Sequence, residues 1–116
     1  MIRQKKILRI SHRTPENFYL GYVLIPFGYS YNSDIAKAKQ GDTLRFVDGN
    51  DFPIVAVRRI KIDSAEADLL CRLRYGITIK GALMRWQSNA KLEGHGAKVI
   101  STEECLWVVF ETDRDG

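Results

Sequence analysis

The stretch Asp42-Thr-Leu-Arg-Phe-Val-Asp-Gly-Asn-Asp-Phe-Pro-Ile-Val-Ala-Val-Arg-Arg-Ile-Lys-Ile62 reads as two strands joined by a tight turn. Up to Val47 the residues alternate, with Leu44 and Phe46 inward and Thr43 and Arg45 outward. Asp48-Gly49-Asn50-Asp51 then supplies a hairpin, because Gly and Asn tolerate the positive φ that tight hairpins need. Phe52 to Ile62 is the returning strand. In it Ile54, Ala56, Ile60 and Ile62 share a parity, and Arg58 falls among them. An arginine on a core face is costly unless it is paired. Three settings accommodate Arg58: a β-bulge that rotates it outward, a place at the sheet's end with its head in solvent, or a cavity wall where it meets an anion.

Downstream the period becomes helical. Asp63 followed by Glu66 resembles a capping box, and Leu69, Leu70 and Leu73 give a buried stripe that stops at Gly76. Thr78 caps a second helix, in which Ile79, Leu83, Trp86 and Ala90 share one face. Gly94 and Gly96 end it, with His95 between them. Cys105 to Glu111 is apolar on both parities, as in a strand buried on both sides, central in a sheet or closing a barrel. Upstream, residues 5–12 alternate, with Leu8 and Ile10 on one side. Tyr22-Val-Leu-Ile25 reads as a strand stopped by Pro26 and Gly28. Residues 34–40 read as one helical turn ended by Gly41. The fold class is α+β: a small curved β-sheet or β-barrel with two flanking helices, as one domain over residues 1–116. Leu44, Phe46, Ile60, Val108 and Phe110 are expected in one core.

The chain's 116 residues suffice for one domain with a real core. Hydrophobic residues at 45% and charged residues at 28% exclude a disordered chain or a collagen-like repeat. No apolar run is long enough to span a bilayer, so no membrane partner is expected. The basic start is followed by only Ile7, Leu8 and Ile10 before Ser11, too little for a signal peptide, so the expected location is cytoplasmic. Cys71 and Cys105 read as small buried hydrophobes.

The net charge of +4 is unevenly spread. Residues 1–13 carry +5, residues 14–57 carry −2, residues 58–100 carry +5 and residues 101–116 carry −4. Two basic segments sharing a face would attract phosphates by counterion release. Arg58, Arg59, Lys80 and Arg85 are the candidates in the second segment, with His95 in its Gly94-His-Gly96 turn. The most ligand-like segment is Gly28-Tyr-Ser-Tyr-Asn-Ser-Asp34. There Tyr29 and Tyr31 would stack on bases, while Ser30 and Asn32 would bond their edges. Trp86 reads as a core residue from its helical spacing. For the rest, the competing reading makes the tyrosines core caps and the charges a solvated face. Nucleophile-elbow, dinucleotide and phosphate-loop motifs are missing, and no HxH, HxxxH or CxxC spacing suggests a metal. No cofactor and no metal ligand are assigned.

The order of elements resembles the ASCH domain of the PUA-like superfamily. Lys39-Gln-Gly-Asp-Thr-Leu-Arg-Phe46, the hairpin and Val55-Ala-Val-Arg-Arg-Ile60 carry the likeness, above all the Gly41-Asp42 turn into a strand and Ala56-Val57 in its partner. The resemblance implies a small β-barrel with flanking helices and a cleft beside it that recognises RNA or a modified nucleotide. Some members resemble amidohydrolases acting on acetylated cytidine through a Gly-x-Lys segment ahead of the Gly-Asp turn. Here Gly28 to Asp34 holds no lysine, so no catalytic residue carries over, and Gly41 and Asp42 transfer as turn formers only. The expected function is therefore non-enzymatic RNA or nucleotide binding. The alternatives are a small hydrolase acting on a nucleoside-like substrate, with Asp34 or Glu93 and His95 as acid and base, and a protein-interaction module with exposed tyrosines as anchors.

Overall fold

The Asp48–Asn50 turn closes with Phe46 N–H donating to Asn50 O at 3.0 Å and Gly49 at φ +90°. It joins two strands of a five-stranded sheet. In chain order these are β1 (Ile7–Arg9), β2 (Tyr22–Pro26), β3 (Thr43–Arg45), β4 (Asp51–Lys61) and β5 (Glu104–Phe110). Two helices, α1 (Ala65–Tyr75) and α2 (Ile79–Leu92), separate β4 from β5. A short 3-10 turn spans Phe18–Leu20, and residues 34–36 form one helical turn. The computed structural model describes residues 5–10, 12–27, 34–92 and 101–112, with the backbone alone at Ala90.

Spatial order is β1-β3-β4-β5-β2, parallel between β1 and β3 and antiparallel elsewhere. All five strands send side chains into one cluster: Leu8, Val23, Leu44, Ile54 and Leu106 meet with Phe46, Phe52 and Phe110. The sheet therefore curves around that cluster, yet β1 and β2 do not pair and the barrel stays open. A second cluster joins the opposite face to the helices: Tyr22, Leu24, Ile60 and Cys105 pack on Ala67, Cys71, Ile79, Ala82 and Trp86. β2 and β5 serve both clusters, as the double parity of residues 105–110 implied.

Of the three settings open to Arg58, β4 adopts the bulge, which lies at Val55, since Ile54 pairs with Phe110 while Ala56 pairs with Val109. One extra residue reverses the faces that follow. Ile54 enters the inner cluster and Ile60 the helix-side cluster, so Ile60 does not share a core with Leu44, Phe46, Val108 and Phe110. Arg58 is exposed, its guanidinium 5.8 Å from the Trp107 ring centroid.

Several details differ from expectation. β1 covers only Ile7–Arg9 of the expected 5–12, and the helical turn only 34–36 of 34–40. Pro26 belongs to β2, opposite Cys105; β2 is an edge strand, where a missing N–H is tolerated. The cap of α1 is Ser64, whose Oγ accepts from Ala67 N–H at 3.1 Å, one residue later than the Asp63 box. The buried face of α1 is Ala67, Cys71 and Arg74, whereas Leu69 and Leu73 are 59% and 60% exposed. Gly76 at φ +71° and Thr78, whose Oγ1 accepts from Gly81 N–H, end α1 and begin α2 as expected. The Gly94–Gly96 stop lies outside the described residues.

Candidate functional site

β2 has one edge paired to β5 and another with no strand beside it among the described residues. Unpaired backbone groups on an edge need partners. Consecutive side chains at the end of α1 supply them. Arg74 Nε donates to Tyr22 O at 3.3 Å. The Tyr75 hydroxyl accepts from Leu24 N–H at 3.0 Å and donates to Leu24 O at 2.9 Å. Arg74 also donates through Nη1 to Asn17 Oδ1, while Asn17 Nδ2 donates to Arg74 O at 3.1 Å. The end of α1 thus stands where a further strand would lie.

The other edge is extended by the residues after β1. Ile10 N–H donates to Arg45 O, and Val47 N–H donates to His12 O. Thr14 then locks the segment to the hairpin, with Oγ1 donating to Asp48 Oδ1 at 2.8 Å and N–H donating to Oδ2 at 3.2 Å. That bond holds the Asp48 carboxyl below its ordinary value.

Between these edges, where the barrel fails to close, lies a cleft of about 330 Å³. Residues 12–15 form one wall through His12, Arg13 and Pro15. Arg74, Tyr75 and Ile77 form another, and Val23 of β2 also lines the cleft. Ala82, Arg85, Trp86 and Asn89 complete it from α2, at the i, i+3, i+4, i+7 spacing of one helix face.

Among the described residues the lining holds three arginines and a histidine and no carboxylate. Elsewhere arginines find acids at 2.7 Å, Arg45 on Asp51 and Arg72 on Asp68. Among the described residues Arg13, Arg74 and Arg85 form no such pair. Arg74 is the unusual member, because it is only 7% exposed. Its guanidinium sits 4.8 Å from the Tyr75 ring centroid, and burial pushes its pKa below the usual value. A buried guanidinium beside aromatic surface, with exposed Arg13 and Arg85 nearby, suits an anionic ligand with a flat apolar part.

No family model matches the chain, and no curated protein or solved structure matches it.

Of the residues singled out in the sequence, Arg85 lines the cleft, and Trp86 contributes to both core and cleft wall. Arg58 and Arg59 do not join them. They occupy opposite faces of β4, Arg58 by Trp107 and Arg59 4.3 Å from the Phe27 ring centroid. Lys80 lies at the start of α2, beside Lys61, Asp63 and Glu104 in a different depression. Tyr29, Ser30, Tyr31, Asn32 and His95 lie outside the described residues, as does Glu93. Asp34 is exposed and does not line the cleft. Cys71 and Cys105 are free and buried, as expected of small core residues.

Sequence reasoning missed Arg13, Arg74 and Tyr75. Arg13 ends a +5 segment, which was a usable signal. Arg74 and Tyr75 carried none, because an Arg-Tyr pair before a helix-ending glycine reads as solvated helix until the bare edge of β2 is known.

Proposed function

We propose that this chain is a nucleic-acid-binding domain of PUA/ASCH-like type that takes RNA or a modified nucleotide in the cleft between residues 12–15 and α2, without chemistry. The observation behind this reading is the lining itself: three arginines from separate elements and two aromatic rings, with no carboxylate among the described residues, around about 330 Å³. Guanidinium groups hold phosphate oxygens, and Trp86 and Tyr75 offer apolar surface for a base. Asn89 supplies a donor and an acceptor for a base edge. Arg13 comes from one basic segment and Arg74 and Arg85 from the other, so convergence of the two segments adds support. The strand order with its Gly41-Asp42 turn is compatible with the PUA-like resemblance, the cleft then being the counterpart of that family's recognition cleft. The hydrolase alternative needs a carboxylate within hydrogen-bond reach of its substrate. Among the described residues none lines this cleft, and Glu93 and His95 lie outside the described residues.

Titration of labelled single-stranded RNA, read by anisotropy and by tryptophan fluorescence in a Trp107→Phe background, tests the proposal. Binding that weakens with salt and is reduced in Arg85→Glu is expected. No binding at about 50 mM salt, where phosphate contacts are still strong, overturns it.

A further inference from the structure

Arg74 poses a problem that its structural contacts do not solve. Nε and Nη1 serve Tyr22 O and Asn17 Oδ1, both uncharged acceptors. Neutral acceptors satisfy donors but do not balance a charge, and buried charges are ordinarily paired. Among the described residues no acid meets this guanidinium, although it is 7% exposed. Arg74 lines the cleft, so a ligand's charge has access to it. The rim residues Arg13 and Arg85 are exposed, so the cleft presents its desolvated cation inward and its solvated cations outward.

From this arrangement we infer that the cleft accepts a phosphomonoester, the terminal phosphate of a single nucleotide unit, with Arg74 as its inner anchor and Arg85 as its outer clamp. The inference rests on the nucleotide reading above and narrows it. A volume of about 330 Å³ lies at the small end of the ~300–1,000 Å³ range of small-molecule sites, which suits one nucleotide and not several. A phosphodiester within a strand continues on both sides and would have to thread past Arg74. A terminal phosphate ends there. A phosphomonoester also carries up to two negative charges, matching a site with three guanidinium groups and no acid among the described residues. Two sources share this chemistry: a free mononucleotide and the phosphorylated end of an RNA strand.

The test uses the full chain with a labelled single-stranded RNA already bound, displaced by AMP, by adenosine and by the same RNA sequence with either a 5′-phosphate or a 5′-hydroxyl. AMP should displace the probe at least about tenfold better than adenosine, the ratio expected when charge-assisted hydrogen bonds to a phosphate are lost. The phosphorylated strand should exceed its hydroxyl counterpart by a similar factor. A phosphorylated strand far tighter than AMP assigns the site to RNA ends, and equal affinities assign it to free nucleotides; both uphold the shared chemistry. In Arg85→Ala the advantage of AMP over adenosine should shrink about tenfold, and this exposed residue can be removed without unfolding the chain. Arg74→Lys keeps a charge but loses the fork, and should likewise reduce the advantage of AMP. If Arg74→Lys fails to fold, Arg85→Ala decides alone. Bound RNA that AMP and adenosine displace equally, or not at all, overturns the inference and leaves the RNA reading standing. Failure of every nucleotide and RNA to bind overturns both.

Discussion

Trp86 packs with Ile79, Ala82 and Cys71 against the sheet, and the same residue forms part of the cleft wall. At 8% exposure its packing outweighs its access. Trp86→Ala should cost about 3–5 kcal/mol in urea unfolding, the range for large aromatic deletions in cores. A loss below about 1 kcal/mol would show that the ring belongs to the cleft alone. The two thiols behind it make a sharper test. Burial pushes Cys71 up to about 11 and Cys105 up to about 12. Because the thiolate is the reactive form, both should resist a disulfide reagent at pH 8 and react readily in urea. The same burial pushes the Tyr75 hydroxyl up to about 12. For all three groups the native chain keeps protons that the unfolded chain releases at lower pH. Their contribution to stability is intact below pH 9, the ordinary thiol value, and is lost as pH rises through about 11 to 12. Alkaline denaturation followed by circular dichroism should therefore begin above pH 9. Stability that held constant to pH 12 would contradict that burial.

At the scale of elements, α1 shows where the sequence was legible and where it was not. Its end at Gly76 was readable because a positive φ there favours glycine. Its buried face was not. Leu69, Leu70 and Leu73 form the more hydrophobic arc, but the helix turns Ala67, Cys71 and Arg74 inward. The reason is tertiary: Arg74 and Tyr75 must reach the open edge of β2, and that need sets the helix's rotation. Hydrophobic period alone cannot report a demand made by a distant strand. The β4 bulge is a parallel case. Arg58 revealed that something breaks the alternation, but the extra residue is Val55, chosen by pairing with β5. The double-sided strand at 105–110 and the Asp48–Asn50 turn were legible because each rests on local chemistry alone. Two measurements check the corrected helix. Ser64→Ala should cost about 1 kcal/mol through the lost cap, whereas Asp63→Ala should change stability by less than about 0.5 kcal/mol. Leu69→Ser and Leu73→Ser should each stay within about 0.5 kcal/mol, as exposed sites do. A cost above about 2 kcal/mol at either leucine would restore the original stripe.

Over the whole molecule, what matters is where the curved sheet stops. Five strands wrap the inner cluster without closing, and the seam between β1 and β2 is filled by side chains of α1 and by the chain after β1. An open seam concentrates unpaired polar groups, and here three arginines are among the groups that line it. The net charge of +4 is thus less informative than its placement. Arg13, Arg74 and Arg85 share the cleft, while Arg58, Arg59 and Lys80 lie on other surfaces. This division yields a prediction that bulk charge attraction would not. If a single-stranded RNA sets a separate phosphate against each of the three arginines, three contacts at about 0.7 counterions each give a log–log salt slope near −2, whereas a single terminal phosphate shared by them gives a shallower one. Arg13→Glu and Arg85→Glu should each flatten that slope by about 0.7 and weaken binding at low salt. Arg58→Glu, Arg59→Glu and Lys80→Glu remove as much positive charge from the protein, yet should leave the slope nearly unchanged. At an ionic strength of 0.15 M the screening length is about 8 Å, so charges on other faces contribute little. Titration at four salt concentrations with all five variants separates the cases. Equal loss in every variant would mean that RNA is attracted to the protein's overall charge and that the cleft has no special claim on it.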